Sequence, residues 1–204
     1  MSGKYKELYL ARHGETIENK KGIIQGWKGG FLTKNGFLQT ATLGLLMLDK
    51  GIETIYTGDL NRQLQSTTQA NRLINLPQEN IYLTKNLRER HFGSADGKKI
   101  SDTNLSISEI GDIYSKNRTP KLLDIETLDL VDKRTNGLID LVLSSNAQKI
   151  MAMGSGWINS YIVNNLTKEG YILHPQENAS AHYFVINQHG EVQEFELEKI
   201  KVTN

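Results

Sequence analysis

The sequence has 204 residues, enough for one large domain, with 24 basic and 23 acidic side chains and a net charge of +1. This balance gives no reason to expect binding to nucleic acid or to a membrane surface. The absence of cysteine excludes disulfides, thiolate catalysis and cysteine-based metal sites. The mean hydropathy of −0.45 favours a soluble protein. We expect a cytoplasmic protein, because the first residues lack an apolar stretch long enough for a signal peptide and no apolar run reaches about 18 residues.

The first strong pattern in the chain is an apolar run that ends in a charged turn. Residues 8–11 are followed directly by Arg12, His13 and Gly14. This pattern is typical of a buried parallel strand whose carboxyl end is a ligand-binding position. Arginine suits a phosphate, and a neutral histidine offers a nucleophilic nitrogen, so the tripeptide points to phosphoryl transfer through His13. For the tripeptide alone, the alternative is a strand end with two solvated polar side chains.

The rest of the chain alternates between helical and strand patterns. A glycine-rich loop at 20–30 precedes, in order, a helix capped by Thr33 and stopped by Gly51, a strand at 52–57, a helix at 60–73, a strand at 81–83, a helix at 125–145, a strand at 150–153, a helix at 157–166 and a hairpin at 181–187 and 192–197. The alternation predicts a three-layer α/β fold, with a mostly parallel sheet, an antiparallel edge strand and helices on both faces. We expect a single domain over 1–204, with a small cap-like insertion at about 94–120.

Three helices carry explicit predictions for the face that packs inward, and the helix at 125–145 has an apolar side formed by Leu128, Val131, Leu138, Leu141 and Val142. The other two helices precede it in the chain. The first has Leu38, Ala41, Leu45 and Leu48 on one side. The second has thinner apolar support, supplied by Leu64, Thr68 and Leu73.

Further phosphate-compatible groups follow other predicted strands. Arg62 lies in the first turn of a helix, where an anion is already favoured. Glu89 follows the third strand and could protonate a leaving oxygen. The turn at Gly154, Ser155 and Gly156 could present backbone N–H groups to an anion. Each group alone also fits an ordinary surface residue or turn, but together they favour a phosphate site.

These segments resemble the histidine phosphatase superfamily, the phosphoglycerate mutase-like proteins, over nearly the whole chain. The matching segments are RHGET at 12–16 with Asn19, QGW at 25–27, LTKNG at 32–36, DLNR at 59–62, LRERHFG at 87–93 and NAS at 178–180. The resemblance implies a phosphoglycerate mutase-like fold and a phosphohistidine mechanism that needs no metal or other cofactor. It implies that His13 attacks phosphorus, that Arg12, Arg62 and Asn19 bind the phosphoryl group, and that Glu89 protonates the leaving group and then activates water.

One position departs from the family pattern. Ser155 stands where the family normally has a second histidine, which helps to bind the transferring phosphoryl group. Serine keeps a hydrogen bond but carries no positive charge. Loss of one preorganised donor typically costs on the order of 10²–10³ in rate. The resemblance therefore implies an impaired phosphate site with Ser155 as a weaker phosphate ligand. His91 and His182 could in principle replace the missing histidine, but structural roles are the better interpretation of both.

Three activities stay open from the sequence. The first is a metal-independent phosphomonoesterase that acts on a small phosphorylated metabolite, and the second is an inactive member that binds a phosphate ligand or inorganic phosphate. The third is mutase-type phosphoryl transfer, which would need further basic residues near the insertion. The candidates for such residues are Lys98, Lys99, Lys116, Arg118 and Lys121. The substrate and the oligomeric state are not predicted.

Overall fold

The apolar run at the start of the chain forms a central strand of a six-stranded sheet. The structure, a computed structural model, describes residues 5–103, 109, 124–168 and 176–202. The strands are β1 (Tyr5–Arg12), β2 (Thr54–Thr57), β3 (Ile81–Leu83), β4 (Lys149–Gly154), β5 (Ala181–Asn187) and β6 (Val192–Ile200). Their order in the sheet is β3-β2-β4-β1-β5-β6.

The helices of the described residues lie between these strands in the chain. They are α1 (Ile17–Lys20), α2 (Lys34–Met47), α3 (Asn61–Ile74), α4 (Leu128–Ser144) and α5 (Gly156–Thr167). Short 3₁₀ turns occupy Leu48–Lys50, Gln78–Asn80, Lys85–Leu87, Gly93–Ala95 and Ile100–Asp102. As predicted, the Thr33 hydroxyl caps α2 by accepting a hydrogen bond from the backbone of Gly36 at 2.9 Å.

The pairing of the strands brings their functional ends to one edge of the sheet. β1, β2, β3 and β4 are parallel, whereas β5 runs antiparallel to β1 and β6 antiparallel to β5. The last pair of β1 and β4 joins Arg12 to Gly154, and β5 begins beside them with Ala181 opposite Ala11. The predicted sheet, including its antiparallel edge, is therefore confirmed.

Alternate side chains of β1 enter two separate cores. Leu8 and Leu10 pack with residues of α4 and α5, whereas Tyr9 and Ala11 pack with residues of α2 and α3. Since successive side chains of a strand point to opposite faces, one buried strand divides the two layers of helices. This confirms helices on both faces of the sheet.

The predicted inward face of α2 is wrong. Leu38, Leu45 and Leu48 are 68%, 57% and 50% exposed. The helix instead buries a narrower face that includes Leu43 and Gly44. A side chain at Gly44 would come within 2.5 Å of the backbone oxygen of Ala70 on α3, so close contact between the two helices selects the buried face.

The predicted apolar support of α3 is also wrong. Thr68 and Leu73 are exposed, and the buried face is mainly polar, formed by Arg62, Gln63, Ser66, Thr67 and Ala70. These polar groups are buried with partners, as shown by the hydroxyl of Ser66, which donates to the carbonyl of Arg62 at 2.7 Å. Of this face, Ala70 packs in the apolar core shared with α2, whereas Arg62 lines the cavity at the carboxyl edge of the sheet.

The predicted insertion at 94–120 is described only in part. Its first residues, through 103, lie against the loop that follows α1, since the amide of Gly97 donates to the carbonyl of Ile24 at 2.7 Å. Residues 104–108 and 110–120 lie outside the described residues. The single-domain organisation with a cap-like insertion therefore stays a prediction.

Candidate active site

A cavity of about 310 Å³ opens at the carboxyl edge of the sheet, where β1 ends. It is lined by Arg12, His13, Asn19, Gly22, Ile23, Ile24, Gln25, Gly26, Arg62, Glu89, Phe92, Ile100 and Trp157. Five of the six predicted site residues meet there, namely Arg12, His13, Asn19, Arg62 and Glu89. The sixth, Ser155, is not among the lining residues.

One ring nitrogen of His13 makes a hydrogen bond to the backbone, and the other keeps its lone pair for reaction. Its side chain is buried, at 2% exposure, and Nδ1 lies 2.8 Å from the carbonyl oxygen of Gly14. Because a carbonyl only accepts hydrogen bonds, Nδ1 carries the proton and Nε2 keeps its lone pair. Burial lowers the pKa of His13 well below its usual value, and the positive charges of Arg62 and Arg12 lower it further. The ring is therefore neutral and nucleophilic at neutral pH.

The backbone around His13 is fixed from several sides. Its amide donates to the carbonyl of Gly154 at 3.2 Å, and its carbonyl accepts from the side-chain amide of Asn178 at 3.0 Å. The amide of the next residue, Gly14, donates to the hydroxyl of Ser66 at 3.1 Å. The 178–180 segment, matched in the sequence to a pocket segment, thus lies behind the predicted nucleophile and orients it.

Arg62 is a buried cation at the start of α3, only 1% exposed. Its Nη1 and Nη2 atoms donate to the carbonyls of Lys28 and Gly26 at 2.9 and 2.8 Å. Among the described residues, its buried Nε atom has no hydrogen-bond partner. Since a buried donor without a partner is costly, this atom is a docking point for an acceptor such as a phosphate oxygen.

The loop that holds Arg62 is itself locked by Asp96. The two carboxylate oxygens of Asp96 accept from the backbone amides of Trp27 and Phe92 at 2.8 and 2.9 Å. Gly26 has a φ of 47° and lies so close to Asp96 that an added Cβ would meet its carboxylate at 1.8 Å. Burial raises the pKa of Asp96, and the hydrogen bonds from Trp27 and Phe92 oppose this rise.

Arg12 reaches the cavity from the end of β1. Its Nη1 atom donates to the carbonyl of Gln176, whose own side-chain nitrogen donates to the carbonyls of Leu10 and Ser180 at 3.1 and 2.9 Å. Gln176 therefore ties the guanidinium to the strand that carries it. Sequence reasoning missed this residue, which precedes the recognised 178–180 segment.

Glu89 is placed by two backbone amides. Its Oε1 accepts from the amide of Arg90 at 2.9 Å, and its Oε2 accepts from the amide of Trp157 at 3.3 Å. Trp157 lies in the first turn of α5, so the amino terminus of this helix faces the Glu89 carboxylate, a position that favours an anion. The carboxyl group therefore has a defined position at the cavity wall.

Asn19 presents a donor to the cavity because its acceptor is already used. Its Oδ1 accepts from the amide of Thr16 at 3.2 Å, and its own amide donates to the Thr16 hydroxyl at 3.0 Å. This reciprocal cap leaves the side-chain nitrogen of Asn19 available to an anion.

Ser155 is fully buried between the end of β4 and the start of α5. Its Oγ accepts from the Nε2 atom of Gln63 at 3.3 Å, and that same nitrogen donates to the carbonyl of Leu87 at 2.5 Å. Gln63 is also fully buried, so its side chain fills the space beside Ser155. Sequence reasoning did not single out Gln63, and only the three-dimensional contact links it to position 155.

Apart from Gln25 and two glycines, the remaining wall of the cavity is apolar, and this apolar wall was not predicted. Its side chains are those of Ile23, Ile24, Phe92, Ile100 and Trp157. They come from four separate segments of the chain with no shared spacing, so no periodic signal in the sequence could have grouped them.

Among the described residues, the other candidate basic residues and histidines do not line this cavity. Lys98 and Lys99 are exposed and are not among the lining residues, and Lys116, Arg118 and Lys121 lie outside the described residues. The Nδ1 atoms of His91 and His182 accept backbone hydrogen bonds at 2.8 Å from Gly93 and Glu198, respectively. Within the described residues, neither histidine takes the place of a second catalytic histidine.

No group of three or more histidine, aspartate or glutamate side chains in the described part of the chain could hold a metal ion. In the same part of the chain, no helix is long and apolar enough to cross a membrane.

Known proteins that are similar to the chain in sequence include two that are named as phosphatases. It is 27% identical over 166 residues to a Hydrogenobacter thermophilus protein named as a phosphoserine phosphatase, with 81% of this chain and 80% of that protein covered. It is 34% identical over 99 residues to a broad-specificity phosphatase of Saccharomyces cerevisiae. That second alignment covers 47% of this chain and 42% of the yeast protein.

The fold and a family profile agree with these similarities. The phosphoglycerate mutase of Bacillus anthracis superimposes with a TM-score of 0.77 at 20% identity, over 97% of this chain and 93% of the mutase. The sequence profile of the histidine phosphatase superfamily (branch 1) matches residues 8–197. The chain therefore belongs to the histidine phosphatase superfamily.

Proposed function

We propose that the protein is a phosphomonoesterase that acts on small phosphorylated molecules through a phosphohistidine on His13, without a metal. The observation that carries the proposal is a single cavity in which His13 meets Arg12, Arg62 and Glu89. The Nε2 atom of His13 is the nucleophile, since Nδ1 is committed to Gly14. The names of the two phosphatase relatives support hydrolysis as the reaction.

In the first half of the reaction, Nε2 of His13 forms a bond to phosphorus and the bond to the ester oxygen breaks. Arg12, Arg62 and the side-chain nitrogen of Asn19 hold the non-bridging oxygens and stabilise their charge. Glu89, in its protonated form, gives its proton to the leaving oxygen, so the alcohol departs neutral.

In the second half, the Glu89 carboxylate takes a proton from water as the water oxygen bonds to phosphorus. The bond between phosphorus and Nε2 then breaks, which releases inorganic phosphate and restores His13. The two backbone amides that hold Glu89 keep it in one position for both proton transfers.

Ser155 sets the rate of this reaction in the proposal. Ser155 is fully buried, its Oγ accepts from Gln63, and it is not among the residues that line the cavity, so in the proposal it gives the bound phosphoryl group no direct donor. A hydroxyl supplies no positive charge, and turnover is therefore slow, by roughly 10²–10³-fold relative to a site with a charged donor at this position.

The contact between Gln63 and Ser155 favours a second candidate function, an inactive phosphate-binding protein. A buried glutamine fills the space beside the position where the family pattern has a second histidine. Such a protein would bind inorganic phosphate through Arg12 and Arg62 without turning over esters. Mutase-type transfer has less support, because within the described part of the chain the lining residues include no cation beyond these two arginines.

Turnover by matched histidine variants tests the proposal. The His13→Asn variant should lose at least 10³-fold in phosphate release from p-nitrophenyl phosphate, whereas the exposed His189→Asn control should keep the wild-type rate, with or without EDTA. Phosphate release at the background rate by wild-type protein, together with a rise in melting temperature on addition of phosphate, would instead establish the binding function.

A further inference from the structure

We infer that the site selects phosphomonoesters whose leaving group is uncharged and apolar, such as a single aromatic ring or a branched alkyl group. This inference deepens the proposed function and rests on it for the hydrolytic step. The discrimination itself is a property of binding. It follows from how charge and apolar surface are distributed around the cavity.

The charged groups of the cavity are those already assigned to the phosphoryl group and its proton. Arg12 and Arg62 are the cations among the lining residues, and Glu89 is the anion. A bound phosphate would use both cations. A carboxylate or second phosphate on the leaving group would then lie near Glu89 with no further lining cation within the described residues to offset its charge.

Apart from the amide of Gln25, the side chains in the rest of the wall offer apolar surface to the leaving group. Ile24 and Trp157 pack against a small apolar cluster formed by Phe92, Ala95 and Ile125. Ile23 lies beside Ile24, and Ile100 is 37% exposed at the rim. An apolar leaving group gains free energy here by removing these side chains from water, whereas a charged one loses its hydration.

Backbone hydrogen bonds between two segments of the chain hold this wall in place. The amide of Ile24 donates to the carbonyl of Lys98 at 2.9 Å, and the amide of Ile100 donates to the carbonyl of Gly22 at 3.1 Å. The two segments therefore run side by side as an antiparallel pair and fix Ile23, Ile24 and Ile100 relative to the cavity.

The same pairing keeps nearby lysines out of the leaving-group site. Lys98 and Lys99 belong to the paired segment, yet both are exposed and neither lines the cavity. The volume of about 310 Å³ is at the small end of ligand pockets, which favours a compact leaving group.

Two pairs of probes with matched chemistry test the inference. Benzyl phosphate and 2-carboxyethyl phosphate are both esters of primary alcohols, so they differ mainly in the apolar or charged character of the leaving group. Their non-hydrolysable counterparts, benzylphosphonate and 2-carboxyethylphosphonate, report binding by calorimetry even if turnover is absent. We expect benzylphosphonate to bind at least tenfold more tightly, a difference typical of apolar pockets.

Variants of Ile100, at the rim of the cavity, test whether this wall causes the binding preference. Ile100→Ala should weaken benzylphosphonate binding by roughly three- to tenfold. Ile100→Lys should improve the binding of 2-carboxyethylphosphonate and so reduce the difference in affinity between the two phosphonates. Leu38→Lys, at an exposed position outside the cavity, should change neither affinity.

The possible failures are distinguishable. Equal or tighter binding of 2-carboxyethylphosphonate to the wild-type protein would overturn the inference, whatever the turnover. If benzylphosphonate binds selectively but neither ester is hydrolysed, the inference stands as a binding preference and the proposed hydrolysis is wrong.

Discussion

The Nδ1 atom of His13 lies 2.8 Å from the carbonyl oxygen of Gly14, so the adjoining peptide determines which nitrogen of the nucleophile is free. Burial and the two neighbouring arginines lower the pKa of this ring. The same environment that prepares Nε2 for attack makes protonation of His13 unfavourable in the folded protein.

This relationship predicts a pH dependence of stability. The unfolded chain gains a proton on His13 near pH 6.5, whereas the folded protein does not until a much lower pH. The lowered pKa of His13 therefore makes its full contribution to the free energy of unfolding above pH 6.5. This contribution is lost as the pH falls below 6.5, by at most about 1.4 kcal/mol per pH unit for one proton. In phosphate-free urea titrations between pH 7 and 5, the free energy of unfolding of wild-type protein should fall more steeply than that of His13→Asn. Parallel slopes would contradict the lowered pKa.

Arg134 on α4 is expected to position Glu89 through the backbone. Its guanidinium bonds both carboxylate oxygens of Glu126 at 2.8 and 2.9 Å and donates to the carbonyl of Glu89 at 3.1 Å. Arg134→Met should lower kcat by roughly tenfold or more, because a small displacement of a catalytic group is costly, and should leave KM nearly unchanged. The exposed arginine variant Arg72→Met is the matched control. A change in KM with constant kcat would argue against this positioning role.

The same substitution should reduce stability. The side chains of Arg134 and Glu126 are only 12% and 8% exposed, so removal of the arginine leaves a buried carboxylate without its charge partner. We expect Arg134→Met to lower the free energy of unfolding by about 3–5 kcal/mol. The double variant Arg134→Met with Glu126→Gln should recover part of that loss, as measured by urea unfolding. If the double variant is no more stable than Arg134→Met, the unpaired carboxylate of Glu126 is not the cause of the lost stability.

Restoring a histidine at position 155 should require a second change. Since Gln63 fills the space beside Ser155, Ser155→His alone should give little gain in kcat and a lower melting temperature. With Gln63→Ala added, kcat should rise by roughly 10²–10³-fold because the imidazole can supply the missing donor. Gln63→Ala alone is the control and should show no gain. A full gain from Ser155→His by itself would mean that Gln63 is no obstacle.

Glu89→Gln should separate the two halves of the proposed reaction. p-Nitrophenolate leaves without needing a proton, so attack by His13 should proceed in this variant. The attack of water still needs a base, and the phosphoenzyme should therefore accumulate. Rapid mixing should show a burst of about one p-nitrophenolate per active site, followed by a slow steady state, whereas wild-type protein should show a smaller burst.

The parts of the structure that could be predicted are those with a local signal. The run of residues 8–11 ending at Arg12 and His13 predicts a buried strand and the position of the site, because strand burial and strand ends leave a continuous pattern. Arg62 and Glu89 were found by their positions after strands and by the family resemblance, and the structure brings both to the cavity with His13.

The parts that could not be predicted depend on contacts between distant segments. The buried faces of α2 and α3 are set by the close approach of Gly44 to Ala70 and by polar partners such as Ser66, neither of which raises the apolar periodicity. Likewise, Ile23 and Trp157 line one cavity although they come from distant parts of the sequence. Only the folded chain shows which of its apolar residues share a wall.

The measurement that most directly tests the account is the mapping of the phosphoryl group in the Glu89→Gln variant after reaction with p-nitrophenyl phosphate. Peptide mapping under alkaline conditions, which preserve phosphohistidine, should place the phosphate on His13, with phosphorus on Nε2 by NMR. A phosphoryl group on any other residue, or steady turnover by wild-type protein with His13 never labelled, would contradict the assignment of His13 as the nucleophile.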